Sequence, residues 1–207
     1  GGGVYRSLWH FIRSAAASDG AEFCVLLDGR ALPREPTWVE QLMQYAVRPG
    51  VGLVGAKISD RFGRCWHAGY TQMGRRVSHN GFKAGRFERG YGMRLVAAHN
   101  VSAVSSMGLA VSRGRLLGEA LGRLPLCSRL GLEVALAFEV REQGQRVVIN
   151  PHVDLLWEGK PLRRVQDLSD HPEDLAQLEK VWGVSDFVDP YYPCGLDGEA
   201  MNFRMKP

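Results

Sequence analysis

At 207 residues with 45% hydrophobic side chains, the sequence carries enough apolar material for one substantial core, and a single domain spanning 1–207 is the expectation. Its formal charge of +4 comes from scattered basic residues without an interleaved basic and aromatic module, which argues against a nucleic-acid binder. No apolar run approaches the ~18 residues of a membrane-spanning helix and nothing reads as a secretory leader, so a cytoplasmic protein without a transmembrane segment is expected.

Twenty-one of the basic residues are arginine and five are lysine, a ratio that suits bidentate recognition of phosphate and equally reflects the coding bias of a genome. The four cysteines, Cys24, Cys65, Cys127 and Cys194, show no CxxC or other close pairing and read as reduced thiols.

In chain order, Gly1 to Gly3 reads as loop, and Leu8, Trp9, Phe11, Ile12 and Ala15 place an amphipathic helix over Val4 to Ala17, ended by Asp19-Gly20. The stretch EFCVLLDGRALPREPTW, Glu22 to Trp38, opens with the apolar run Phe23 to Leu27, too short for a helix and of the kind that forms a strand buried on both faces. The run stops at Asp28. A carboxylate at the carboxyl end of a buried parallel strand stands where open α/β sheets bind ligands, whereas Asp28-Gly29 is also ordinary turn chemistry.

Thr37-Trp38-Val39-Glu40 reads as a capping box opening a helix to Val47, with Trp38, Leu42 and Tyr45 inward and Pro49-Gly50 ending it. Gly50 to Gly55 formally matches GxGxxG, but it follows a helix and runs into the strand-like Val51 to Ile58, the reverse of a dinucleotide fingerprint. Asp60 to Gly63 is a turn, and Cys65 to Tyr70 holds His67 in the string WHAG. No second His or Cys lies at ligand spacing from His67, which favours a structural histidine over a metal ligand. Gly74 to Arg94, with His79 inside it, is a long polar stretch of the kind that is functional or mobile.

Leu95 to Ser112, containing VSAVSSMGLAVS, predicts two short strands around Ser105-Ser106, and Gly114 to Leu121 a short helix. Gly131 to Gln143 is a strongly apolar helix closed by Gly144, with Glu133 in its first turn. Arg146 to Ile149 and Pro151 to Trp157 read as a pair of partner strands. Asp170-His-Pro-Glu173 reads as a second capping box opening a helix through Trp182, and 183–207, with Asp189-Pro-Tyr-Tyr-Pro193, as a C-terminal strap packed by its tyrosines.

In this order the strings EFCVLLDG, VGLVGAKI, WHAG, VSAVSSMGLAVSR, LEVALAFEVREQGQRVV and DPYYP resemble the family 2 glycosyltransferases of the GT-A fold, in particular those that build bacterial surface polysaccharide. The resemblance covers nearly the whole chain. It implies an α/β domain with a GT-A-like mixed sheet flanked by helices, and it matches the second part of such a domain, without the first half that holds the nucleotide base and ribose.

What the resemblance implies about residues is specific. Asp28 is the donor-side carboxylate and, with Arg30, Ser105, Ser106 and Met107, a donor or diphosphate contact. Glu133 stands for the catalytic base that deprotonates the acceptor hydroxyl. His67 and His79 lie on the acceptor side. The family's second acid falls on Ala135, its terminal histidine on Trp157, and its paired acids on Asp28-Gly29-Arg30, so the oxygen and nitrogen donors that a Mn or Mg ion requires are largely missing. No cofactor is therefore expected, and Arg30 is the candidate to meet the diphosphate in the metal's place.

The implied activity is transfer of a sugar from a nucleotide-sugar donor to a glycan or lipid-linked acceptor, in the cytoplasm or at the periphery of the inner membrane. The alternative is a non-catalytic glycan-binding or protein-interaction scaffold descended from such an enzyme.

Overall fold

A computed structural model describes residues 10, 12–18, 20–118, 121 and 124–205. The fold is α/β: a seven-stranded mixed sheet with helices on both faces, and a second, three-stranded antiparallel sheet. The central sheet runs β1 (Phe23–Leu27), β8 (Gly108–Ser112), β3 (Val51–Ser59), β9 (Arg146–Trp157), β2 (Ala31–Pro33), with β4 (Cys65–His67) paired to β3 and β7 (His99–Asn100) to β9. β3 and β9 are parallel, while β8 is antiparallel to both β1 and β3. The small sheet orders β10 (Val165–Asp167), β6 (Arg76–His79) and β5 (Tyr70–Met73).

Strand alternation builds two apolar layers. Leu53, Leu109, Val111, Val147 and Ile149 face one cluster, and Val54, Ala110 and Val148 the other. The helix α1 (Trp38–Ala46) closes the second layer with Leu42 and Ala46, as its inward residues require. The helix α3 (Arg129–Glu142) closes the first and is itself buried from Val134 to Val140, because α4 (Pro172–Trp182) covers its outer side with Leu178 and Trp182. A helix apolar all round is a helix inside the molecule. α2 (Arg113–Leu116) is one short turn after β8.

Several expectations change. Residues 12–18 are helical, whereas most of Val4 to Phe11 and Asp19 lie outside the described residues. Phe23 to Leu27 is a strand with apolar neighbours on both faces, Cys24 and Leu26 on one and Phe23 and Val25 on the other. It is nevertheless the terminal, antiparallel strand of the sheet and only half-buried, not a central parallel one.

Arg146 to Trp157 is a single strand rather than a pair. Its register against β3 passes from Ala56↔Asn150 to Lys57↔Asp154, and the intervening residues form a bulge at Pro151, which has no N–H for a ladder. Arg76 to His79, inside the expected polar stretch, is a strand with Val77, Ser78 and His79 buried.

Neither capping box forms. Thr37 makes no side-chain cap and its Oγ1 accepts from Gln41 Nε2 at 3.0 Å. α4 starts from His171 with Pro172 at N1, Asp170 belonging to the preceding 3-10 turn. Helix α3 begins at Arg129, capped by Ser128, so Glu133 stands in its second turn.

Candidate functional site

One end of the central sheet gathers the carboxyl ends of β1, β3 and β9 with the start of β8, the kind of place where α/β sheets hold ligands. Asp28, just beyond β1, is fixed by its amide donating to the Met107 carbonyl at 3.1 Å. Its carboxylate accepts from Arg30 Nε at 2.9 Å and Nη2 at 2.8 Å in a bidentate pair, with Arg129 Nη2 at 3.5 Å. The Arg30 hydrogen bonds, ahead of the opposing effect of burial, hold Asp28 below the usual carboxylate range.

Trp157, at the end of β9, is buried with its indole N–H donating to the Lys160 carbonyl at 2.8 Å. The guanidinium carbons of Arg30 and Arg129 lie 5.0 Å and 5.9 Å from its ring centroid. The ring that stands where the resemblance implies a metal-binding histidine is thus a surface on which two arginines stack.

Beside this group opens a cleft of about 700 Å³. Arg30, Arg129, Lys160 and Arg163 line it against Asp170 and Glu173, so basic groups outnumber acidic ones; Trp157, Met107, Tyr70, His79 and Gln166 also reach it. Ser128 and Leu130 bring the start of α3 to the same cleft. The amides there already have an anion: Asp174 of α4 accepts from Cys127 N at 2.8 Å and Ser128 N at 2.9 Å. Positive charge for a ligand therefore comes from the side chains rather than from the helix end.

Beneath the cleft lies Glu133, buried and absent from its lining. Oε1 accepts from Ser105 Oγ at 2.8 Å, Ser106 N at 2.7 Å and Ser106 Oγ at 2.8 Å, and Oε2 from Tyr70 OH at 2.8 Å. Burial first, and the neighbouring Glu133 second, push the Tyr70 phenol well above its ordinary value, so it stays a donor. Four donors on one carboxylate make it the anchor of the turn between β7 and β8. A base must instead present a lone pair to an acceptor hydroxyl.

The two histidines meet, with Nδ1 of His67 and Nδ1 of His79 2.9 Å apart. His67 Nε2 accepts from Gly69 N at 3.3 Å and Ser105 N at 3.1 Å. Both rings are buried, which lowers their pKa values, His67 well below the usual range and His79 to about 3. Each is a neutral structural imidazole under ordinary conditions.

The structure thus sets Arg30 and Met107 in the lining of the cleft, with Asp28 behind them holding Arg30. It sets Ser105 and Ser106 on Glu133 below it, and joins His79 to the cleft while leaving His67 underneath. Sequence reasoning missed Arg129, Lys160, Arg163 and Gln166. For Arg129 a signal existed: Ser128 is a good N-cap ahead of an apolar helix, and starting the helix there places Arg129 at its mouth. Among the described residues no group of three or more His, Cys, Asp or Glu side chains could hold a metal ion, and no helix is long and apolar enough to cross a membrane. Cys24, Cys65, Cys127 and Cys194 form no disulfide with one another.

No protein-family model matches the chain. An uncharacterized protein, y4gI, of Sinorhizobium fredii (strain NBRC 101917 / NGR234) is 29% identical over 201 residues, which is 92% of this chain and 22% of that protein. The chain spans about a fifth of the length of the curated relative it matches.

Proposed function

We propose that this is a glycosyltransferase-like domain of the family 2, GT-A type, which binds the diphosphate of a nucleotide sugar through guanidinium groups rather than through a divalent metal. The acceptor would be a glycan or lipid-linked sugar of surface polysaccharide synthesis. The observation that carries the reading is the pair Arg30 and Arg129, held by Asp28 and by the Trp157 face at the mouth of a cleft whose lining is basic. Departure of a nucleoside diphosphate concentrates negative charge on its phosphates, and fixed cations there lower the barrier. Two planar guanidiniums, oriented before the ligand arrives, meet phosphate oxygens with little reorganisation.

A second reading, a non-catalytic binding domain of the same descent, has its own support: Glu133 is saturated by four donors and shut away from the cleft. Both readings share the anion site and differ in turnover.

Calorimetric titration with UDP, GDP, TDP and inorganic pyrophosphate, each with EDTA and then with manganese, tests the proposal. Binding that survives EDTA and weakens about tenfold or more in Arg30→Ala and Arg129→Ala is expected, since a hydrogen bond to a charged group contributes about 1.5–3 kcal/mol. Binding that requires manganese, or no binding of any of these ligands, overturns it. Hydrolysis or transfer from a nucleotide-sugar panel then separates the enzyme from the scaffold.

A further inference from the structure

The buried histidine pair fixes more than its own protonation. Backbone amides are donors only, and two of them, Gly69 N and Ser105 N, point at His67 Nε2. That nitrogen must be an acceptor, and the neutral ring carries its proton on Nδ1. Among the described residues the protein atom at hydrogen-bond distance from that proton is His79 Nδ1, at 2.9 Å, which must accept it. His79 then carries its own proton on Nε2. No other assignment works. A cationic His67 would aim N–H at two N–H groups, and a proton on His79 Nδ1 would leave His67 with none.

The donor on His79 Nε2 faces the side-chain amide of Gln166 at 2.9 Å, where the amide nitrogen is placed. Two donors cannot bond, and the amide oxygen and nitrogen exchange by a half-turn of the same planar group. The oxygen therefore belongs against His79, and the NH2 on the opposite side of the amide. Gln166 lines the 700 Å³ cleft together with Arg30, Arg129, Lys160 and Arg163. We infer that the relay from Gly69 and Ser105 through His67 and His79 sets Gln166 to present N–H donors to the cleft, making it a specificity-determining contact for an oxyanion ligand. This rests on the anion-cleft reading above and adds a neutral, directional donor to it. Ser105 also donates its hydroxyl to Glu133, so the turn that Glu133 anchors and the orientation of Gln166 share one residue.

Two measurements on the full chain test it. Nitrogen-15 NMR of the imidazoles reads the tautomers directly, and Nδ1–H on His67 with Nε2–H on His79 is expected at pH 7; the opposite pattern on either ring overturns the inference. Gln166→Glu keeps an oxygen for His79 and replaces the donor with an oxygen, so the tautomers should persist while pyrophosphate binding weakens at least tenfold. Gln166→Met, which removes the donor without adding charge, should weaken it severalfold, with a lower urea midpoint because the buried His79 Nε2–H loses its acceptor. If wild type binds pyrophosphate and both variants bind it equally well, Gln166 is not a contact and the inference is overturned. If wild type binds neither pyrophosphate nor any nucleoside diphosphate, the cleft reading itself falls and takes the contact with it, and the wild-type titration alone tells these two failures apart.

Discussion

Replacing Glu133 by alanine strips one buried carboxylate from four donors at once. The Ser106 amide and hydroxyl are only half-buried and regain water cheaply. Tyr70 OH and Ser105 Oγ are buried and do not. Leaving a buried donor unsatisfied costs about 1–3 kcal/mol, so the two stranded groups and the cavity together give roughly 3–5 kcal/mol. Glu133→Gln keeps Oε1 for the three serine donors. Its new NH2 can donate to Tyr70, whose hydroxyl rotates to accept, so only about 1 kcal/mol should be lost. Urea unfolding followed by tryptophan fluorescence reads both variants. A large difference between alanine and glutamine identifies an anchoring role. A catalytic base would instead show small stability changes in both variants and loss of turnover in Glu133→Gln. An alanine variant within about 1 kcal/mol of wild type would refute the account of Glu133 as the anchor of the β7–β8 turn.

Stability should fall on acidification before the ordinary carboxylates titrate. His67 and His79 have folded pKa values depressed below the ~6.5 of an unfolded histidine, so the unfolded chain binds more protons below that pH and the folded state loses up to about 1.4 kcal/mol per pH unit for each ring. For His79 the window runs from about 6.5 down to about 3, and urea midpoints that are equal at pH 7 and pH 5 would contradict it. Gly131→Ala should destabilise by about 1–3 kcal/mol despite alanine's better helix propensity, because the new Cβ would stand 2.3 Å from Asp174 Oδ2; the thermal midpoint measures it. Trp157→Ala removes the surface under both arginines and the Lys160 bond. It should weaken any EDTA-resistant pyrophosphate binding severalfold, measured in the same calorimetric titration.

Much of the fold could be read from the residues because burial imposes a period. β3, β8, α1 and α3 each carry an apolar pattern that only one type of element satisfies, and they stand where that pattern puts them. Pro151 misled because a proline punctuates a sequence, whereas here it forms a bulge inside a strand that continues. The two capping boxes failed because a side-chain cap needs an extended backbone at the right residue: Thr37 sits at φ −90° and ψ 18°, and the second helix starts from His171 rather than Asp170. The cleft was the least legible part. Arg30, Arg129 and the stretch Trp157 to Lys160 come from three separate segments, and nothing local announces that two guanidiniums share one indole. Glu133 was found as a residue, but its four donors could not be read, since one carboxylate in a helix reads the same whether it faces solvent or four donors.

The glycines of β3 and β8 limit how the site can move. A Cβ at Gly52 would sit 2.6 Å from Val140 of α3, one at Gly55 2.4 Å from Val104, and one at Gly108 2.2 Å from Leu155 of β9. Each is a notch in the sheet occupied by a neighbour's side chain, so sliding along a strand is blocked in either direction. Helix α3, which carries Arg129, and the segment that carries Ser105 to Met107 are both seated in notches of the same strand, three residues apart. They therefore keep a common origin, and relative displacement along β3 is the degree of freedom this packing removes. The cleft wall from Lys160 to Arg163 that follows β9 is held at its start as well, since a Cβ at Gly159 would sit 2.1 Å from the Trp157 ring and the Lys160 carbonyl accepts from that indole.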